Sequence, residues 1–141
     1  MTCTFFGHRD SSIKIKEKLE EAIIKLIKEN EVNLFLVGNQ GKFDAFALSV
    51  LKKIQSDFPF IKFYVVLAYL PSNRGSIDDY ENTIYPEGLE RVPKRFAISK
   101  RNEWMINKSD FVITYVTNNF GGSSIFKELS KKRGRTVIEL S

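Results

Sequence analysis

The chain has 141 residues, which suits one domain and leaves no room for two ordinary ones. Hydrophobic residues make up 43% and charged residues 28%, a globular composition rich enough to bury a core. The net charge of +5 permits contact with phosphate groups on small ligands or on nucleic acid. Lysines on helix faces account for much of it, so charge alone does not indicate DNA binding.

One cysteine, Cys3, excludes an internal disulfide, and with a single histidine, His8, no Cys/His zinc set can be built; no metal and no cofactor are expected. Cys3 sits among Thr2, Thr4, Phe5 and Phe6 and is expected inside a strand, with the reducing cytoplasm as its compartment. No apolar stretch approaches the roughly 20 residues that span a bilayer, and the N-terminus lacks a signal-peptide pattern, so no membrane partner is expected.

In chain order the pattern alternates strand and helix. Residues 2–7 are short, apolar and aromatic and form the first strand. Asp10, Ser11 and Ser12 then offer capping oxygens. Leu19, Ala22, Ile23, Leu26 and Ile27 recur at helical spacing up to about Asn30. The run NLFLV at 33–37 is continuously apolar, as in a strand buried on both faces of a parallel sheet. It breaks at Gly38-Asn39-Gln40-Gly41. A second helix runs from Phe43 through Ala47, Val50, Leu51 and Ile54, and residues 61–68 form the third strand.

Residues 69 to about 96 differ from the rest. They hold Pro71, Gly75, Pro86, Gly88 and Pro93, with the aromatics Tyr69, Tyr80, Tyr85 and Phe96, and read as a long functional loop. A short helix follows over about 98–107, then a fourth strand over 111–116. After Thr117-Asn118-Asn119-Phe120-Gly121-Gly122 comes a helix over 123–133, capped by serine at its start, with Gly134 at its C′ position. Residues 136–140 form the fifth strand. The expected fold is a single α/β, Rossmann-like three-layer domain with a parallel five-stranded sheet in the order 3-2-1-4-5. That order places a ligand crevice between the first and fourth strands.

Three strand ends carry unusual residues and share one edge of such a sheet: Gly7-His8-Arg9-Asp10, Gly38 to Asp44, and Gly121-Gly122-Ser123-Ser124. Glycine loops before helices expose backbone N–H groups at the positive end of a helix dipole, which binds phosphate without a cationic side chain. Neither loop is a Walker A or a GxGxxG sequence. Gly7, Gly38, Asn39, Gly41, Asp44, Thr117, Gly121, Gly122, Ser123 and Ser124 are the loop candidates for ligand binding. Arg9 could hold a phosphate or pair with Asp10. His8 could serve as a general acid or base, as a hydrogen-bond donor to a ligand, or as a turn residue capping local backbone. Arg101 and Asn102 lie on the helix before the fourth strand, where packing explains Met105 and Trp104 more readily than these two polar residues. The run Lys131-Lys132-Arg133 reads as a solvated helix end.

At these residues the sequence resembles the SLOG superfamily, which unites the Smf/DprA and LOG proteins, and within it the uncharacterised bacterial YpsA-like branch. The pieces that match are FFGHRD (5–10), VGNQGKFD (37–44), TIYPEGLE (83–90), PKRFAISKRNEWMINKSD (93–110) and NNFGGSS (118–124), in order over nearly the whole chain. The resemblance implies a Rossmann-like fold with a site for nucleotides or related ligands, and supplies no known reaction. LOG-type phosphoribohydrolases are similar over a smaller part. Arg101 and Met105 match their Arg and Met, and Gly121-Gly122 match the glycine pair of their PGGxGTxxE loop. The register read here puts Lys127 at the catalytic glutamate position, with Glu128 one residue later. Lys127 would oppose the ribosyl cation that a carboxylate stabilises, so hydrolysis is not expected. Glu128 by a register slip, or Glu87 or Glu81 from the long loop, would be the replacement catalytic carboxylate.

The reading is therefore a module that binds or senses a nucleotide or nucleotide-derived phosphorylated ligand at the C-terminal edge of the sheet. An N-glycosidic hydrolase of nucleoside monophosphates is the alternative. A DprA-like single-stranded DNA binder comes third, since it needs stacking platforms along a basic groove. The expected partner is a nucleotide-derived small molecule, with nucleic acid second, and a homo-oligomer is compatible with the sequence.

Overall fold

The structure, a computed structural model, describes residues 1–70, 82–118 and 121–140. Pro71, Gly75, Tyr80, Glu81, Asn119 and Phe120 lie outside the described residues. The elements run β1 (Thr2–Gly7), α1 (Ile15–Asn30), β2 (Leu34–Val37), α2 (Lys42–Ile54), β3 (Lys62–Val66), β4 (Thr83–Ile84), α3 (Ala97–Lys108), β5 (Phe111–Tyr115), α4 (Gly122–Lys132) and β6 (Thr136–Glu139). Short 3₁₀ turns at Leu89–Arg91 and Lys94–Phe96 lead into α3.

All strand pairs are parallel, and the sheet order is β4-β3-β2-β1-β5-β6. The five strands read from the sequence occupy the expected order, but the sheet has six. The additional strand, β4, pairs two residues with the edge of β3: Val65 N–H donates to the Asn82 carbonyl at 2.7 Å and Leu67 N–H to the Ile84 carbonyl at 2.8 Å. Two residues are too few to show a strand period, and they sit between prolines, so this piece read as loop.

The central strands are buried on both faces because their side chains alternate between two cores. Phe5, Phe35, Val37 and Ile113 face α1 and α2, where they meet Leu19, Ile23, Phe43, Ala47 and Leu51. Phe6, Leu36, Val66 and Val112 face α3 and α4, where they meet Met105, Ile106 and Phe126. Cys3 is fully buried in the first core, and desolvation holds its thiol far above the usual range, which keeps it unreactive.

Capping differs from the sequence expectation. α1 begins only at Ile15 and its N-cap residue, Lys14, gives no side-chain cap; of the expected oxygens Ser12 Oγ accepts the Lys14 N–H at 3.3 Å, whereas Ser11 Oγ donates to the His8 carbonyl at 2.6 Å and holds a turn at the end of β1. α4 begins after Gly121, whose φ of +90° favours glycine, and its serines do not cap it. Gly134 closes the far end of α4 with a φ of +75°.

Gly7 shows how tightly β1 and α2 meet. A Cβ at this position would lie 2.3 Å from Phe43 Cγ, whose ring lies across the strand end and stacks on Tyr115. Gly7→Ala is therefore expected to lower stability by about 1–3 kcal/mol through overpacking, read as a fall in the midpoint of a urea melt. A midpoint equal to that of the parent would mean that the ring moves away at no cost.

Candidate ligand-binding site

β1 and β5 are neighbours at the centre of the sheet, and the chain leaves them in opposite directions, β1 toward β2 and β5 toward β6. This switch point opens a crevice at the carboxyl ends of the strands. A cavity of about 390 Å³ occupies it. Its walls come from the end of β1 (Phe5 to Arg9), from Gln40 and Asp44 at the start of α2, from α3 and from the start of α4.

α3 contributes one face. Ile98, Arg101, Asn102 and Met105 line the cavity, as the helical period allows for positions one turn apart. Arg101 is only 2% exposed. Its Nε donates to Asn102 Oδ1 at 2.8 Å, and its Nη1 donates to the Val66 carbonyl at 2.9 Å and to Asn39 Oδ1 at 3.2 Å. Among the described residues it has no ion-pair partner. Burial pulls its pKa below the ordinary guanidinium value, and the nearby Asp44 charge opposes that shift.

Asp44 stands close by. Its Oδ2 accepts the Gln40 N–H at 2.9 Å, so the carboxylate closes the start of α2 from within. A Cβ on Gly38 would lie 2.8 Å from Asp44 Oδ2 and 3.3 Å from Arg101 Nη2. The carboxylate and the guanidinium thus flank Gly38, and a side chain there would push them apart. Desolvation raises Asp44 to about 6, against the lowering effects of the Gln40 N–H, Arg101 and Arg9. It is the one carboxylate lining the cavity among the described residues.

The two glycine loops differ in what they leave free. In the first, Gln40 N–H goes to Asp44 and Lys42 N–H donates to the Arg9 carbonyl at 2.7 Å. Gly41, at φ +96°, rests on Arg9, whose Cα would be 2.6 Å from a Cβ at 41. Two of that loop's N–H groups are thus taken up, the second of them in joining β1 to α2. In the second, Gly122 and Ser123 form the first turn of α4, where N–H groups have no partner within the helix. Among the described residues, a Cβ on Gly121 or Gly122 would meet nothing within 4 Å. Packing among the described residues does not demand glycine at 122, and Gly122 lines the cavity.

His8 closes the wall between β1 and α4. Its Nε2 accepts the Thr117 backbone N–H at 2.7 Å, and its Nδ1 lies 3.4 Å from Ser123 Oγ. Arg9 is exposed at the rim, with no ion pair to Asp10 or to any other described carboxylate.

The remaining sequence candidates lie elsewhere. Ser124 and Glu128 line a separate shallow groove on the outer side of α4, with Ile125, Leu129 and Lys132. Counted residue by residue from Gly121-Gly122, the final glutamate of the LOG pattern falls on Glu128, not on Lys127 as read above. Lys127 points away from the cavity as well, in an ion pair with Glu139 that holds that carboxyl below its usual range. Glu87 and Glu90 are exposed and outside the cavity lining. Sequence reasoning passed over Gln40, Ile98 and Ser99 as lining residues; the helical spacing from Arg101 and Met105 was the signal for Ile98.

No family model matches the chain. A UPF0398 protein of Halalkalibacterium halodurans is 28% identical over 141 aligned residues, which cover 91% of this chain and 74% of that protein. The X-ray structure of DNA processing protein A (DprA) from Streptococcus pneumoniae superposes with a TM-score of 0.70 at 20% identity, over 99% of this chain and 50% of that one. The chain thus spans about half the length of that DprA chain. By fold it is a Rossmann-like α/β domain of the DprA type. The UPF0398 relative agrees with the resemblance to the uncharacterised YpsA-like branch, and the DprA likeness is one of fold. Among the described residues no helix is long and apolar enough to cross a membrane.

Proposed function

We propose that the cavity between β1 and β5 binds a phosphate-bearing, nucleotide-derived small molecule. The observation that carries this is Arg101, a buried guanidinium on the cavity wall with no carboxylate in ion-pair contact among the described residues. A buried charge is costly unless a counter-charge meets it, and an anionic ligand in the cavity would be that counter-charge. The open first turn of α4 supplies N–H donors, and Arg9 supplies a second cation at the rim.

The volume suits a small molecule, since ligand pockets span roughly 300–1,000 Å³. Binding is our first reading and hydrolysis the alternative: of the glutamates read from the sequence as catalytic candidates, Glu87 and Glu128 do not line the cavity and Glu81 lies outside the described residues. The likeness to DprA concerns the fold, and DNA remains the ranked alternative partner.

The test is a thermal-shift panel of nucleoside mono- and diphosphates, inorganic phosphate and a single-stranded oligonucleotide, with base release followed in the same wells. A mononucleotide present at a hundred times its Kd stabilises a fold by about 2.7 kcal/mol. Gly122→Ala is the paired control. Its extra methyl meets no described residue within 4 Å, so stability should stay within about 1 kcal/mol of the parent or rise. The mononucleotide shift should shrink in that variant. A response to the oligonucleotide alone, unaffected by Gly122→Ala, would reject the small-molecule site.

A further inference from the structure

His8 is the only histidine in the chain, and its surroundings settle which of its nitrogens carries the proton. The Thr117 backbone N–H can only donate, and it points at Nε2 from 2.7 Å. A proton on Nε2 would face that N–H head-on. Thr117 Oγ1, at 3.1 Å from the same nitrogen, can add a second donor to it. The ring is held from the side by Tyr115, edge to face at 5.8 Å between centroids. Neutral His8 therefore carries its proton on Nδ1. The nearest described acceptor is Ser123 Oγ at 3.4 Å, longer than the usual reach of a firm hydrogen bond, so the Nδ1–H is only loosely engaged.

We propose that His8 is locked by the Thr117 N–H in its Nδ1–H form, and that it offers the ligand a hydrogen-bond donor and not a base. The consequence is a wall that donates throughout. His8 Nδ1–H stands beside the first-turn N–H groups of Gly122 and Ser123 and the Ser123 hydroxyl, whose oxygen faces the imidazole while its proton remains free to turn toward the cavity. Such a wall recognises a fully ionised oxygen, as on a phosphate. It gives His8 no lone pair with which to remove a proton from a bound molecule, because the only one is held by Thr117. The same bond ties the end of β5 to the end of β1 across 109 residues, which keeps the start of α4 aligned over the cavity. The ligand half of this statement rests on the phosphate reading above, and the tautomer half does not.

The experiment uses uniformly ¹⁵N-labelled protein at mildly alkaline pH. Long-range correlations from the imidazole C–H protons report which ring nitrogen is protonated, and a single histidine leaves no assignment ambiguity. In ligand-free protein the Nδ1–H form is expected to exceed the Nε2–H form by about tenfold, the equilibrium equivalent of one hydrogen bond. An Nε2–H form in excess, or an equal mixture, overturns the lock. Adenosine 5′-monophosphate is then titrated as the probe. His8→Asn keeps a donor near the Nδ1 position and is expected to retain the probe's affinity within about threefold, whereas His8→Leu is expected to lose about tenfold. Equal losses in the two variants overturn the donor role. If neither the parent nor any variant binds a phosphate-bearing probe, the proposed function and the donor role fall together, while the tautomer measured in free protein still decides the lock.

Discussion

Arg101→Ala is expected to weaken binding of a phosphate-bearing nucleotide by about ten- to a hundredfold, which corresponds to the about 1.5–3 kcal/mol of a charge-assisted hydrogen bond. The fold should survive. The substitution frees the Val66 carbonyl and the side chains of Asn39 and Asn102, and because Asn102 and the guanidinium line the cavity, water can enter the space that the guanidinium leaves. A stability loss of about 1–2 kcal/mol is therefore expected, with a single cooperative unfolding transition retained. Arg101→Lys separates charge from geometry. Lysine keeps the cation but cannot reach Asn102, Val66 and a ligand with one planar fork, so it should recover less than half of the lost binding energy. Isothermal titration against the best nucleotide from the screen, with a urea melt of each variant, makes the measurement. A lysine variant that binds as tightly as the parent would show that the fork recognises nothing. Arg9→Ala should follow the same direction more weakly, since Arg9 lies at the exposed rim.

The second large effect concerns Asp44 and pH. Its folded pKa is raised to about 6 from 3.8, so the folded protein holds this proton more tightly than the unfolded chain does. The neutral form thus favours folding. That contribution is complete below the unfolded value and is lost as pH rises through about 6, so ionised Asp44 is a net liability at neutral pH. Asp44→Asn keeps an oxygen for the Gln40 N–H and removes the charge. The variant should be more stable than the parent by on the order of 1–3 kcal/mol at about pH 8 and equal to it at about pH 4, a difference set by the pKa shift and reduced by the partial exposure of the group. Urea melts of both proteins across this range test it. A stability gap that does not change with pH would mean that Asp44 titrates as an ordinary surface carboxylate. Retaining an unfavourable charge at this position makes sense at a binding site, where it can accept a ligand donor beside Arg101.

Much of the fold was legible in the sequence because its signals are local and repeated. NLFLV could only be a strand covered on both faces, and the period through Leu19, Ile23, Leu26 and Ile27 gave α1 its buried side. Alternation of strand and helix, with right-handed crossovers, left few topologies, and the favoured order is the one the structure shares for those five strands, with the crevice between β1 and β5. β4 escaped because two residues carry no period; it exists through pairing with the edge of β3.

The chemistry of the site is tertiary. Both glycine loops looked alike as sequence, yet in the first Asp44 and the Arg9 carbonyl take the Gln40 and Lys42 N–H groups, whereas the first-turn N–H groups of α4 have no partner within the helix. Arg101 reads as one polar residue on an amphipathic helix until Asn39, 62 positions away, and the Val66 carbonyl, 35 positions away, meet it. Glu128 is one helical step from Lys127, and the rotation of α4 about its axis sends both away from the cavity while Phe126 turns toward it. Composition and periodicity determine which residues are buried and in which elements, since those depend on neighbours a few positions apart. Which donor meets which acceptor depends on packing between distant elements, and only the assembled sheet and its two helical layers decide it.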